Sequence, residues 1–176
     1  MRIKLSLGSC LATLFLFFLP WVDVRCVSKD KSVSILTQSG IQTIIGTYSI
    51  SEKEPKEEGK VELERYPSSY LIGGGLLLTV VSISLLFRTI MTGRAIRLAY
   101  IRWMAFTAVV LIGLQLIIGV PIKEELIRQN GGSNPSSEAM SDIRESFKVV
   151  LLPSFYLVMF SLVFTYVVCS EKQQSR

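Results

Sequence analysis

The sequence predicts an all-α membrane protein, a four-transmembrane-helix bundle with a small extracytoplasmic loop element that is either a short strand or a surface helix. Three observations predict it. Four stretches, residues 5–22, 70–87, 103–122 and 149–169, contain no Asp, Glu, Lys or Arg. Each is about 18–21 residues long, roughly 27–31 Å of helix, against a hydrocarbon core of about 30 Å. Of the 176 residues, 49% are hydrophobic, which leaves little chain for a soluble domain with its own core.

The charge between the stretches predicts an orientation. With the amino terminus inside, the inner segments are 1–4, 88–102 and 170–176. They carry Arg2, Lys4, Arg88, Arg94, Arg97, Arg102, Lys172 and Arg176 against a single acid, Glu171. The outer segments, 23–69 and 123–148, are mixed in sign. Lys and Arg near span ends favour the cytoplasmic side, so both termini and the basic loop 88–102 are expected in the cytoplasm of a cell-membrane protein. Arg94, Arg97 and Arg102 then read as contacts to anionic lipid headgroups rather than to nucleic acid.

The first stretch also has the look of a secretory signal. The Leu19-Pro20-Trp21-Val22-Asp23 ending lacks an Ala-x-Ala-like site, so an uncleaved span is expected. Leu7-Gly8-Ser9-Cys10 imitates a lipoprotein box, but only Leu5 to Leu7 precede it as apolar run. Cys26 is expected just outside the membrane. It reads as a thiol packed at the membrane mouth or as one partner of an intermolecular disulfide.

Within outer loop one, Val33 and Ile35 alternate with serines, as in a short strand. Ile41, Ile44 and Ile45 recur at helical spacing between a Ser39 cap and a Gly46 stop, as in a turn or two of surface helix. Residues 51–65 are mixed in charge with Pro and Gly, a solvated linker. In outer loop two, Asn130-Gly131-Gly132 is expected to stop the third helix, and Ser136 or Ser137 to cap the fourth. Trp21 is placed at the outer membrane face with the other interfacial aromatics.

Small and polar residues supply the seams that lipid-embedded helices need. Gly8 and Ala12 offer one in the first span. Gly75, Thr79 and Ser82 form a stripe in the second; Ala108, Gln115 and Gly119 share a face of the third; Ser154, Ser161 and Thr165 share a face of the fourth. These seams read as helix packing, with a cleft for lipid or pigment as the sharper alternative. Gln115 is the strongest polar side chain expected deep in a span, so it should find an interhelical hydrogen bond, or else serve a ligand or oligomer contact.

Motifs for chemistry are sparse. The chain has no His, no Cys-x-x-Cys and no phosphate-binding glycine loop. No stretch carries an Asp or Glu for proton or cation coupling. No catalytic residue, metal ligand or cofactor is assigned.

Phe18-Leu19-Pro20-Trp21-Val22-Asp23-Val24-Arg25-Cys26, with Gln38-Ser39-Gly40-Ile41-Gln42 and Gly46, resembles a group of small bacterial four-span membrane proteins of uncharacterised activity. In that group a Pro-Trp ends the first span, then a Cys and a Ser-Gly-x-Gln segment follow. The resemblance covers about 40 residues and implies no activity. A long first outer loop with Trp and Cys is also similar to claudins, but their Trp-Gly-Leu-Trp and second loop cysteine are missing here. The expected function is a non-catalytic assembly, scaffolding or interaction subunit, partnered by lipid and by another protein or a second copy. An oligomeric channel or transporter component, and an outer-surface enzyme using Asp23, Arg25 or Cys26, are the alternatives.

Overall fold

Pro20 divides the first apolar stretch into a helix and a strand. The computed structural model describes residues 2–28, 31–50, 68–93, 98–119 and 146–170. Helix α1 (Arg2–Leu16) stops four residues short of Pro20. Proline lacks a backbone N–H and disfavours helix in the residue before it. The chain tightens through Phe18 N–H to Phe15 C=O (3.1 Å) and Leu19 N–H to Leu16 C=O (3.2 Å). It then enters strand β1 (Pro20–Ser28), where Val22, Val24 and Val27 suit a pleated backbone.

The remaining elements are β2 (Lys31–Ser39), α2 (Gly40–Ile45), β3 (Ser49–Ile50), α3 (Tyr70–Thr92), α4 (Leu98–Ile118), β4 (Phe147–Leu151) and α5 (Pro153–Ser170). The strands form one antiparallel sheet in the order β3-β2-β1-β4. Helix α1 packs on α3 and α5, and α4 packs on the same two.

This corrects the all-α, four-span expectation. Among the described residues three helices, α3, α4 and α5, are long and apolar enough to cross a membrane. Helix α1 has 15 residues, only about 22 Å, and residues 17–22 do not extend it. The fourth stretch also begins as strand, because 149–151 belong to β4 and the helix starts only at Pro153. A proline is well placed there, in the first helical turn. Helix α3 runs past residue 87 to Thr92, and α4 begins at Leu98, before residue 103. The loop element is not one strand or one helix but a sheet of four strands with α2 set into it. The predicted linker 51–65, the Asn130 stop, the Ser136 or Ser137 cap and the tail from 171 lie outside the described residues.

Helix α2 follows from local chemistry. Ser39 Oγ accepts from Gln42 N–H (3.2 Å) while Gln42 Oε1 accepts from Ser39 N–H (2.8 Å), a reciprocal cap. Gly46 ends the helix at φ 78°, a left-handed conformation that costs a glycine little. The isoleucines expected to seek a membrane surface are mostly taken up by the protein itself. Ile41 and Ile44 pack against the main core, and Ile45 alone of the three is exposed, at 60%.

The sheet lies at one end of the helices, where α1 finishes and α3 and α5 begin. The main core there joins sheet to helices: Phe17, Trp21, Val24 and Leu36 with Ile72, Ile112, Phe155 and Val158. A smaller cluster of Cys10, Leu86, Ile101 and Cys169 closes the opposite end.

Trp21 occupies the centre of the joint. Pro20 pairs with Ser39 and Val22 with Gln38, so Trp21 is the extra residue of a bulge. Bulges re-aim a side chain. Here Trp21 turns inward and Val22 is buried as well. The indole lies 4.5 Å from the Phe17 ring centroid and 5.6 Å from that of Phe155, edge-on to the latter. Its Nε1–H donates to Leu16 C=O at 2.8 Å, a second bond on a carbonyl at the end of α1 that also accepts from Leu19 N–H. Gly40 faces it so closely that an added Cβ would stand 2.7 Å from the indole and 2.8 Å from Phe17. Gly40→Ala should therefore destabilise the protein by about 1–3 kcal/mol. Thermal unfolding of the purified chain in detergent measures this, and an unchanged midpoint would show that the joint is looser than described.

Candidate functional site: the sheet cap and the polar seams beneath it

The sheet is tied to the helices by hydrogen bonds as well as by packing. Leu152 N–H donates to Trp21 C=O (2.8 Å), Ile41 N–H to Phe17 C=O (3.1 Å) and Ser69 N–H to Thr43 C=O (3.0 Å). The Ser154 hydroxyl donates to Pro20 C=O. Ser154 therefore secures the strand-to-helix junction instead of lining a helix–helix face with Ser161 and Thr165. These bonds occupy backbone groups that helix ends and strand ends would otherwise leave unpaired.

Gln115 lies in the last turn of α4, near the sheet, not deep in a span. Its Oε1 accepts from the Ser69 hydroxyl at 2.6 Å and its Nε2 donates to Gly119 C=O at 2.8 Å. Ser69 also caps α3 by accepting from Ile72 N–H at 3.3 Å. One hydroxyl thus connects the start of α3 to the end of α4. Further along the α3–α4 contact, a Cβ on Gly75 would come within 3.0 Å of Ile112. Thr79 is buried and donates back to Gly75 C=O (2.9 Å). The Ser82 hydroxyl donates to Leu78 C=O at 2.8 Å and lies 3.5 Å from Met104 Sδ on α4. Ala108 is fully enclosed.

The α1–α5 seam is more polar than the sequence suggested. Ser9 and Ser161 exchange bonds: each hydroxyl donates to the other's carbonyl, at 2.8 and 2.9 Å, and the two hydroxyls are 2.9 Å apart. Ser6 lies 3.3 Å from Cys169 Sγ, and Cys10 Sγ 3.9 Å from the Thr165 hydroxyl. Ser6, Ser9, Cys10 and Thr13 recur at intervals of three and four in α1, a helical stripe readable in the sequence. The pair proposed from sequence, Gly8 and Ala12, lies off this seam: both are exposed, and a Cβ on Gly8 would meet no atom within 4 Å.

On the sheet, Asp23 is 4% exposed. Its carboxylate accepts from Arg25 Nε (2.7 Å) and from the Ser34 hydroxyl (2.5 Å). Burial of a carboxylate needs such partners, and the arrangement commits Asp23 to holding β1 and β2 together. Cys26 is partly buried and unbridged. Trp21, expected at an interface, is 1% exposed and cannot reach a partner from this position. Arg102 stands on α4 with its guanidinium 5.7 Å from the Trp103 ring centroid, within cation–π range. Its Nε is buried without a hydrogen-bond partner among the described residues. Arg94 and Arg97 lie outside those residues. Among the described residues, no three of Cys, Asp and Glu gather as a metal site would require.

A void of about 20 Å³ lies where the sheet meets α3, α4 and α5, lined by Trp21, Thr43, Gln115 and Phe155 among others. Its polar rim is already bonded: Thr43 donates to Ser39 C=O, and Gln115 is engaged as above. Gln115→Leu should cost about 0.6–1.7 kcal/mol, the range for hydrogen bonds between helices in membranes. Its chemical unfolding in detergent should show that loss, whereas wild-type stability would mean that Ser69 and Gln115 are not coupled. No protein-family model matches the chain and no curated protein matches its sequence, so its function must be argued from its own chemistry.

Proposed function

We propose that the chain is a non-catalytic integral membrane protein, an assembly, scaffolding or interaction subunit of a membrane complex that meets its partner through the sheet. In this reading it is a multi-pass protein of the cell membrane, with both termini and the basic inner loop cytoplasmic and the sheet outside; α1, short as it is, then crosses beside α3 and α5, with residues 17–19 completing its path to the outer face. The density of Lys and Arg, eight in the 26 inner residues against eleven in the 73 outer ones, supports that orientation.

The observation that carries the reading is the tip of the β1–β2 hairpin. Strand β1 leaves the helices at Pro20 and β2 returns to them at Ser39, so the tip is the part farthest along the chain from the bundle. Val27 and Val33 are exposed there, at 43% and 38%. Lipid accounts for exposed Leu77 or Val110 on the long helices, but not for apolar side chains at the far end of a sheet. Strand β4 adds a second feature: it pairs with β1 on one side and, among the described residues, with no strand on the other. Such an edge presents backbone groups that a partner strand can take up. The lashings at Trp21, Ser69 and Ser154 hold these surfaces in fixed relation to the helices, which suits a part that transmits position rather than one that performs chemistry.

A photo-activated cross-linking residue placed at Val33 should capture a protein, and the same residue at Val110 should capture lipid. Val27→Ser with Val33→Ser should reduce recovery of the captured protein about tenfold, the equivalent of roughly 1.4 kcal/mol. Stability should shift by no more than about 0.5 kcal/mol, because both positions are exposed. Capture of nothing but lipid at Val33 would sink the reading. A homogeneous oligomer that conducts ions in vesicles would replace it with the channel alternative.

A further inference from the structure

We infer that the outer side of the α1–α5 seam is a binding groove for one anionic phospholipid, with an acyl chain lying along α1 and the headgroup at Lys4. This rests on the reading that the helices stand in a membrane, and it does not depend on what the sheet binds. The groove is open along one side and offers about 450 Å³. Gly8 and Ala12 form its floor on the α1 side, and Leu157, Phe160 and Phe164 rise from α5 as its wall.

The depth has a structural cause. The reciprocal bonds between Ser9 and Ser161 draw the two backbones together, while the adjacent positions on α1 carry almost no side chain. The Phe160 and Phe164 rings stack at 6.4 Å between centroids and project beyond the floor. The result is an open groove with one tall side. From Lys4 to Leu16, both lining residues, it follows about 18 Å of helix axis, a run suited to an acyl chain.

The ends select the occupant. The walls are almost wholly apolar, and the hydroxyls of Ser9 and Ser161 are already spent on one another, so the slot offers nothing to a polar ligand along its length. At one end stands Lys4, exposed, and with no ion-pair partner among the described residues. An ammonium at the mouth of an apolar slot complements a phosphate joined to a hydrocarbon tail. A helix from a second copy would match the small residues of the floor but would have to pass the Phe160 and Phe164 wall, and it would give Lys4 nothing.

The full-length protein, reconstituted in vesicles of phosphatidylcholine mixed with phosphatidylglycerol and then gently extracted, provides the test. Retained lipid is counted by mass spectrometry, and oligomeric state is read from the same spectra. The wild type should retain phosphatidylglycerol in preference to phosphatidylcholine. Gly8→Leu should fill the slot without disturbing the seam, since nothing lies within 4 Å of its Cβ, and should abolish retention. Lys4→Gln should keep the slot but weaken the preference for phosphatidylglycerol about fivefold, the effect of one basic side chain at the surface. Retention of phosphatidylglycerol by Gly8→Leu at the wild-type level would overturn the assignment. So would a wild-type dimer that Gly8→Leu converts to monomer, because the occupant would then be a helix. Partner capture at Val33 is a separate readout, so failure here leaves the role of the sheet standing.

Discussion

The burial of Trp21 at the junction of α1 and β1 is the constraint on which the other elements depend. The indole fills the space between Phe17 and Phe155, returns a hydrogen bond to the end of α1, and requires a glycine at position 40. Fixing it fixes the direction in which β1 leaves the helix. Because β1 is flanked by β2 and β4, and β4 leads straight into α5, that one direction sets the sheet, the start of α5 and the seat of α2. A lipid-exposed bundle cannot rely on the hydrophobic effect between its helices. The end capped by the sheet holds the larger core.

The polar seams complete what the sheet begins. Ser69 and Gln115 connect α3 to α4 beside the sheet, and the Ser9–Ser161 exchange with its sulfur neighbours connects α1 to α5 farther away. Each group in these seams is satisfied by another helix or by its own backbone, so close approach costs little desolvation. The same close approach that seals the α1–α5 seam opens the slot outside it. The inward and outward faces of α1 thus differ: a polar stripe that packs, and a small-residue stripe that borders the groove.

Much of this was legible in the sequence, and the failures have identifiable causes. Ser39 and Gly46, with the spacing of Ile41, Ile44 and Ile45, announced α2, because caps are local chemistry; the part of Gln42 in the cap emerged only in the structure. The apolar middles of α3, α4 and α5 were equally plain. Strand β1 was hidden because Phe17 to Val22 continue the apolar run of α1, so hydropathy alone joined a helix to a strand; Pro20 was the signal that divided them. Strand β4 was hidden in the same way, since Val149, Val150 and Leu151 run into the fourth stretch, with Pro153 as the overlooked boundary. The burial of Trp21 could not be read from its position at the end of an apolar run, where a surface anchor has the same pattern. The Ser6–Ser9–Cys10–Thr13 stripe was readable, but Gly8 and Ala12, the smallest residues of α1, lie off it on an exposed face.

The central claim, that sheet and helices form one mechanical unit joined at Trp21, is tested most directly by hydrogen exchange of the full-length protein in lipid nanodiscs, followed by mass spectrometry. If the joint is as described, the amides of β1 and β4 will exchange as slowly as those at the adjoining start of α5, through one shared opening. Fast exchange across β1 and β4 beside a protected α5 would contradict it, because the sheet would then be an independent flap and not part of the helical body.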